Sequence, residues 1–399
     1  MPHPSGKLKR YARQVALSIL AGILAGASSA VFLILLDWAT STRLLHPGFI
    51  LALPLAGFAI GWFYHHHGED ISQGHNLILD EIHDPKKTVP LSMAPAILAG
   101  TVLTHLFGGS AGREGTAVQM GASLSDQLGR FFKTTADERR MLLVAGAGAG
   151  FGAAIGTPFA GAIFGMEVIY VGRLKLGAWL ECLIASFVGF YVTVLLRAPH
   201  SRFPAVEIPP FDFKTLFWVA VAGACFGLAS RLFVQLVHSL EKLQARFIRY
   251  SPFKPLLAGT LLAILFLGFG FERYAGLGIR AIQDALQNPA SFNDPLLKSL
   301  FTALTIGSGF KGGEFIPLVF IGTTLGSALS LLIPISFQLL AATGFAAVFS
   351  GAANTPIACS LMAMEIFGLR IAPYAFIACF VSYACSGGTG IYRAQRKHR

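Results

Sequence analysis

Apolar stretches long enough to cross a lipid bilayer recur from one end of this 399-residue chain to the other. A membrane-spanning helix needs about 20 predominantly apolar residues. Only 13% of the residues are charged and 54% are hydrophobic, whereas soluble domains carry about 25% charged residues. We therefore predict an all-α polytopic membrane protein with no water-soluble domain outside the apolar part. The stretches lie near residues 14–37, 48–64, 88–107, 141–170, 176–196, 214–236, 254–271, 297–334, 337–368 and 371–386, and several are too long or too interrupted by Gly and Pro for a single span.

Basic residues gather in the polar segments between these stretches. The net charge is +11, and Lys and Arg cluster at the amino end, in "DPKKT", "KTTADERR" and "GRLKL", and in the terminal "YRAQRKHR". Cytoplasmic loops carry such an excess of Lys and Arg, so we expect both termini in the cytoplasm and no nucleic-acid partner. A cleaved signal peptide is the weaker alternative, because "VFLILL" extends the first apolar run beyond signal-peptide length.

The sequence predicts neither a metal site nor a cofactor. The five cysteines lie within apolar stretches and lack metal-ligand spacing. "YHHHGED" at 64–70 has three consecutive histidines, which rarely ligate one ion together, so a solvated boundary is favoured over a metal site. "GAGAGFG" at 146–152 superficially matches a dinucleotide loop, but its position inside an apolar stretch indicates small-residue helix packing.

The two halves of the sequence repeat each other. "GFGAAIGTPFAGAIFGMEV" (150–168) aligns without a gap on "VFSGAANTPIACSLMAMEI" (348–366), at an offset of 198 residues. The acid of "GREGT" pairs with that of "GGEFIP" at an offset of 200. Such a repeat indicates two structural halves around a site near the membrane midplane. We predict a first membrane repeat over 1–200, an inter-repeat linker over 201–213, a second membrane repeat over 214–393 and a basic cytoplasmic tail over 394–399, with the repeats inverted.

Each landmark of the repeat has the sequence of a helix start. Thr157 and Thr355 suit an N-cap, and Pro158 and Pro356 suit the first helical position. "GREGT" and "GGEFIP" likewise place glycines ahead of helices. Irregular backbone at membrane depth is tolerated only where it is buried in protein or lines a cavity. Because a helix N-terminus presents unpaired N–H groups and about half a positive charge, several of them aimed at one point predict a site for a small anion.

Glu114 in "GREGT" is a carboxylate inside such surroundings. An acid at the centre of a span costs about 2.5–3.5 kcal/mol, so a functional role is its default interpretation. Beside helix N-termini it can occupy the anion's place, and protonation ends that competition, which is a mechanism for gating or exchange. The structural alternative is a pair with Arg113. That pair, or a charge match at the helix end, is disfavoured because adjacent residues on a helix do not face each other well, and a buried pair would count against the transport function.

The sequence resembles the CLC family of chloride channels and anion/proton antiporters over residues 10–393. "GREGTAVQMG" is similar to the family's G-K/R-E-G-P helix start, "GGEFIP" to its G-x-F-x-P start, and the tyrosine of "GIYRAQ" to its late tyrosine. The resemblance implies tilted, broken helices in two inverted repeats, a homodimer, and a separate anion pathway in each subunit. It implies that Glu114 is the external gate and proton acceptor. It also implies that amides around Phe315 and Ile316 and the Tyr392 hydroxyl bind the anion.

Three departures from the family pattern resemble its bacterial fluoride/proton antiporter branch. Thr116 replaces the usual proline, and Glu314 precedes Phe315 where chloride-handling members commonly have an apolar residue. Val168 stands at the place of the internal proton-transfer glutamate, with Glu167 one position earlier.

Two other positions depart from that branch. Gln73 and Ile316 stand where the branch commonly has Met and Thr, so a chloride/proton antiporter and a passive chloride channel stay open as alternatives.

Fluoride is strongly hydrated, so a pathway for it must replace the lost water with good hydrogen-bond donors. The predicted anion-binding residues are Gln73, His75, Asn76, Arg113, Gly115, Thr116, Phe315, Ile316 and Tyr392. We expect Glu114 to act as a moving gate. We expect Glu314 to act as a proton-dependent partner, which donates to the anion when protonated and repels it when ionised.

The sequence thus predicts a secondary transporter of a bacterial inner membrane, which exports fluoride in exchange for inward-moving protons. A rival from a different class is a membrane-embedded enzyme that uses Glu114 and Glu314 as an acid/base pair. It is disfavoured, because the repeat predicts acids beside helix N-termini on an ion path. For Glu167 and Glu365, capping is favoured over proton transfer, and for His105 a core role is favoured over a proton relay.

Overall fold

The computed structural model describes residues 4–397, and these residues form sixteen α-helices and no β-strand. The first eight helices are α1 Pro4–Leu45, α2 Leu53–His67, α3 His75–His83, α4 Met93–Leu106, α5 Glu114–Phe131, α6 Ala136–Ile155, α7 Pro158–Glu167 and α8 Trp179–Leu195. The other eight are α9 Phe213–Phe247, α10 Phe253–Phe269, α11 Ile279–Gln287, α12 Asn293–Gly307, α13 Phe315–Leu329, α14 Phe337–Ala353, α15 Pro356–Phe367 and α16 Ala372–Ser386.

Helix lengths recur in the same order in the two sets of eight. Each set begins with its longest helix, of 42 residues in α1 and 35 in α9. The third helix of each set, α3 or α11, has nine residues. The seventh, α7 or α15, has 10 or 12 residues. Within residues 4–397, five helical segments are long and apolar enough to cross a membrane: Lys9–Leu45, Pro47–His67, Leu176–Leu195, Phe213–Phe247 and Leu369–Ser386.

The longest apolar stretches are broken where the sequence predicts helix starts. The stretch 141–170 divides into α6 and α7 at Gly156, whose φ of +91° ends the first helix, and Pro158 opens the next. The stretch 337–368 divides in the same way at Asn354, with φ +57°, and Pro356. These predicted breaks are confirmed. The short helices α3 and α11 have no counterpart among the predicted stretches, because nine residues are too few to form one.

Glycines bring two matched pairs of helices into close contact. A Cβ on Gly121 of α5 would lie 2.3 Å from the Gly146 oxygen of α6. A Cβ on Gly322 of α13 would lie 1.9 Å from the Gly344 oxygen of α14. Backbones this close tolerate no side chain between them. The small-residue packing predicted for 146–152 is therefore confirmed.

Candidate anion and proton site

The starts of α5 and α13 lie side by side. The Gly112 N–H donates to the Gly313 oxygen at 2.6 Å, and the Gly313 N–H donates to the Gly112 oxygen at 2.8 Å. The start of α3 reaches the same place, since a Cβ on Gly115 would lie 2.9 Å from Cε1 of His75. Three helix N-termini therefore meet, and Gly115 leaves the room for the third.

The first backbone N–H groups of these helices do not take part in i to i−4 hydrogen bonds. In α13 the Leu318 N–H donates to the Glu314 oxygen at 3.0 Å, so the amides of Phe315 and Ile316 precede the first i to i−4 bond. In α5 the Ala117 N–H makes that bond with the Arg113 oxygen, at 3.3 Å. Each start thus carries the positive end of its helix dipole.

The Glu114 side chain lies at the start of α5 and is almost completely buried, with 1% of its surface exposed. Its Oε2 accepts from the backbone N–H of Arg113 at 3.2 Å, and its Oε1 accepts from Nε of Arg113 at 3.2 Å. The carboxylate therefore occupies the electropositive end of a helix, where a small anion would also be stabilised.

Glu114 and Arg113 form the buried pair that the sequence disfavours. Arg113 is the N-cap of α5, with φ −123° and ψ −28°, so its backbone is not helical. Successive residues within a helix point in different directions, but this does not apply to a residue that precedes the helix. Nη2 of Arg113 also donates to Ser201 Oγ at 3.1 Å. The pair favours a structural role for Glu114 more than the sequence does. A functional interpretation depends on where the pair lies.

Two cavities open beside the paired helix starts. The first, which we call the Tyr392 cavity, has a volume of about 430 Å³. Its lining includes the predicted residues Gln73, His75, Asn76, Glu314 and Tyr392. The second, which we call the Arg113 cavity, has a volume of about 690 Å³ and includes Arg43, His200 and Ser201 in its lining. Because Arg113 lines one cavity and Glu314 the other, the Glu114 region lies between them.

His75 offers the Tyr392 cavity a buried hydrogen-bond donor. Nε2 of Gln119 lies 3.1 Å from Nδ1 of His75, and when this amide donates to Nδ1 the hydrogen of the neutral ring is on Nε2. That Nε2 is buried and has no hydrogen-bond partner in the described part of the chain. The ring centroids of His75 and Tyr392 are 5.0 Å apart. Gln119 was missed by the sequence analysis, although it is the amide inside the small-residue run "GTAVQMG".

The segment after α16 is hydrogen-bonded in place around Tyr392. The Ile391 N–H donates to the Ala352 oxygen at 2.9 Å, and the Ala394 N–H donates to Oδ1 of Asn76 at 3.0 Å. The amide oxygen of Asn76 thus holds this segment, so only its NH₂ group is available to an anion. Nothing in the sequence indicates this second role of Asn76.

Thr116 and Phe315 are placed differently from the cavity residues. The Thr116 hydroxyl is fully buried and lies 2.7 Å from that of Thr101 in α4. The Phe315 ring packs edge-on against Phe349, with centroids 4.7 Å apart. The part of Phe315 that can bind an anion is therefore its backbone amide at the helix start. His105 contacts the oxygens of Thr101 and Ala111 at 2.8 and 3.0 Å, which confirms its core role.

The other two predicted helix starts are already occupied. Glu365 accepts from the N–H groups of residues 159 and 160 in α7, at 3.0 and 2.8 Å. Glu167 accepts from those of residues 357 and 358 in α15, at 2.9 and 2.7 Å. Capping by these two acids is confirmed. Carboxylates therefore close two of the four predicted helix starts to an anion, and the other two, those of α5 and α13, meet the start of α3.

The predicted N-cap threonines do not cap with their side chains. Thr157 and Thr355 occupy the N-cap positions of α7 and α15, but neither hydroxyl makes a capping hydrogen bond. The carboxylates from the other half of the chain already accept from the first amides of each helix.

Comparison with known proteins decides the family. Residues 56–387 match the family described as voltage gated chloride channel. The chain belongs to this family, the CLC family. Its fold, two inverted sets of tilted and broken helices, matches a crystal structure of a CLC-type fluoride/proton antiporter with a TM-score of 0.93 and 32% identity, over 97% of this chain and 98% of that one.

Other CLC proteins are similar over most of the chain. A chloride/fluoride channel protein of Pseudomonas syringae pv. tomato is 47% identical over 99% of this chain and 89% of the relative. An H(+)/Cl(-) exchange transporter of Vibrio cholerae serotype O1 is 27% identical, over 88% of this chain and 81% of the relative. A slow cyanobacterial Cl-/H+ antiporter shares the fold, with a TM-score of 0.83 and 23% identity over 95% and 96% of the two chains.

Proposed function

We propose that this protein exports fluoride in exchange for protons. The observation that carries the proposal is the place of Glu114, whose buried carboxylate lies at the cluster of helix starts between two cavities. The similarity to a fluoride/proton antiporter and to a chloride/fluoride channel protein favours fluoride among small anions.

In the proposed cycle the carboxylate and fluoride alternate at one place. Ionised Glu114 accepts from the Arg113 amide and guanidinium and closes the path. When a proton neutralises the carboxyl, its attraction to Arg113 falls and the electropositive helix end becomes available to fluoride. Loss of the proton to the other side returns the carboxylate to its place. Proton and anion therefore move in opposite directions.

Donors around the Tyr392 cavity suit an ion that loses its hydration with difficulty. The buried Nε2–H of His75 and the neighbouring Tyr392 hydroxyl can donate, and Gln73 adds an amide to the lining. A tightly hydrated anion needs such compensation. Chloride/proton antiport or passive chloride conduction is the second candidate, because Gln73 and Ile316 depart from the fluoride branch and the Vibrio relative exchanges chloride.

We infer that Glu314 is a proton-dependent partner of the anion. It is the N-cap residue of α13 and lines the Tyr392 cavity, without a side-chain cap to its own helix. Ionised, it repels fluoride; protonated, it donates to it. An enzymatic acid/base role for Glu114 and Glu314 is not proposed, because the chain belongs to a family of channels and transporters.

The wider setting follows from the charge pattern and the family. We propose a bacterial inner membrane as the location, with both termini in the cytoplasm, and a homodimer in which each subunit has its own pathway. The proposed halves are 1–200 and 214–393, joined by 201–213 and followed by the basic segment 394–399, whose last two residues lie outside the described part.

Efflux from liposomes tests the proposal. Purified protein is reconstituted into fluoride-loaded vesicles, and external fluoride and internal pH are followed together. Fluoride efflux should drive proton uptake, with chloride efflux far slower. Equal chloride transport would favour the chloride antiporter, and fluoride current without proton movement would indicate a channel.

Glu314→Gln tests the proton-dependent partner. We expect the variant to lose proton uptake driven by fluoride efflux, because its amide cannot change charge. Glu207→Gln, at an exposed acid between the two sets of helices, is the control and should behave as wild type. Unchanged coupling in Glu314→Gln would remove this residue from the mechanism.

A further inference from the structure

A pocket with three cationic side chains lies away from the anion site, on the face that carries the amino end of α1. We call it the Arg140 pocket, and its volume is about 430 Å³. Its polar lining contains Arg10, Arg140, Lys175 and one acid, Asp137, and its apolar lining contains Ile82, Met141, Val144, Ile169 and Ala178. The pocket therefore joins an excess of positive charge to an apolar wall.

Neighbouring groups hold two of the cations in place. The Arg140 Nε donates to the Ile82 oxygen at 2.7 Å, and Nη2 and Nη1 donate to the His83 oxygen at 3.4 Å and to Asp137 at 3.2 Å. A guanidinium has five N–H groups, so two of those of Arg140 have no partner among the described residues. The Lys175 ammonium lies 4.5 Å from the centre of the Tyr170 ring. Fixed cations lose little side-chain entropy when they bind an anion.

Exposed apolar side chains place the pocket at the membrane surface. Leu176 and Trp179 follow Lys175 in the chain, and 59% and 55% of their surfaces are exposed. Tryptophan concentrates at the level of the lipid headgroups, and basic residues near it attract anionic lipids. The mouth of the pocket therefore meets headgroups, while its apolar wall can accept the glycerol and the first acyl carbons.

We propose that the Arg140 pocket binds the phosphate of an anionic phospholipid. Arginine pairs with phosphate through parallel N–H groups, and basic pockets between membrane helices accept lipid headgroups. The three cations exceed the single acid among the described lining residues. A zwitterionic lipid adds its own cation to the phosphate, so it gains less from this excess. The assignment is independent of the transported ion.

Thermal unfolding of the full-length protein in detergent tests the assignment, followed by tryptophan fluorescence. Phosphatidylglycerol added at about 100 times its dissociation constant should raise the midpoint by about 2–4 °C, whereas phosphatidylcholine should not. Arg10→Gln/Lys175→Gln should lose most of this rise. The control variant Lys86→Gln/Arg130→Gln removes the same amount of charge from exposed positions outside the pocket. It should show the same rise in midpoint as the wild type.

Three outcomes would overturn the proposal. The same rise with inorganic phosphate alone would assign the pocket to a free ion and not to a lipid. An equal rise with phosphatidylcholine would remove the role of headgroup charge. An equal loss in both double variants would mean that overall charge, and not this pocket, attracts the lipid. Fluoride efflux from both variants checks that they fold.

Discussion

At the scale of single residues, Arg113 and Glu114 form an ion pair that protonation of Glu114 would weaken. The carboxylate has two neighbours at 3.2 Å, the amide and the guanidinium of Arg113. Protonation weakens both interactions, while Arg113 keeps its bond to Ser201 and its positive charge. An arriving anion then meets a cation and free helix-end amides. The rule that adjacent residues do not face each other failed because it holds within a helix, and Arg113 precedes one.

His75 carries the clearest prediction for fluoride affinity. His75→Phe keeps the ring against Tyr392 but removes the buried Nε2–H donor. A hydrogen bond to a charged group is worth about 1.5–3 kcal/mol, so we expect the fluoride Kd to rise about tenfold or more. Titration calorimetry on purified protein measures it. His66→Phe, at an exposed ring in α2, is the control, and equal affinity in all three proteins would exclude His75 as a donor.

At the scale of helices, the two halves cap each other. Glu167 at the end of α7 binds the start of α15, and Glu365 of α15 binds the start of α7. The repeat shows that the two acids occupy equivalent positions. It does not show which N–H groups they bind, because capping across the halves depends on how the halves pack. This exchange explains why two of the four predicted helix starts are not free for an anion.

The contact between α13 and α14 predicts a large difference between two glycine substitutions. Gly322→Ala would force a methyl group to within 1.9 Å of the Gly344 oxygen, so the helices must separate. We expect a loss of about 1–3 kcal/mol or more and a lower unfolding midpoint in detergent. Gly268→Ala in α10 has open space around its Cβ and should be at least as stable as wild type. Similar midpoints for the two variants would contradict the packing.

At the scale of the whole molecule, the end of the chain joins the two halves behind Tyr392. Gln395 donates to the Val168 oxygen at 2.9 Å and to the Ala353 oxygen at 2.8 Å, and Asn354 donates to it at 2.9 Å. Deletion of residues 394–399 should therefore misplace Tyr392 and slow fluoride efflux severely. Deletion of 397–399 keeps these bonds and should preserve efflux. Equal rates would mean that the bonds do not position the tyrosine.

The sequence predicted the architecture better than the site. Hydropathy, glycines and prolines predicted the membrane helices and their breaks, because these features act locally. The repeat placed Glu114 and Glu314 at matched helix starts. The nine-residue helices were missed because they are too short to form an apolar stretch. The Gln119 contact to His75 and the bond of Asn76 to the last segment were missed, since both depend on chain segments that only packing brings together.

Fluoride affinity measured against pH tests most directly whether Glu114 and the anion compete for one place. Calorimetric titrations of wild type and Glu114→Gln are compared from acidic to alkaline pH. We predict that the wild type binds fluoride more tightly as pH falls, because protonation withdraws the competing carboxylate. Glu114→Gln should bind fluoride tightly and keep only the part of the pH dependence that Glu314 contributes. If the variant keeps the full pH dependence of the wild type, or binds fluoride more weakly at every pH, the Glu114 carboxylate does not occupy the anion's place.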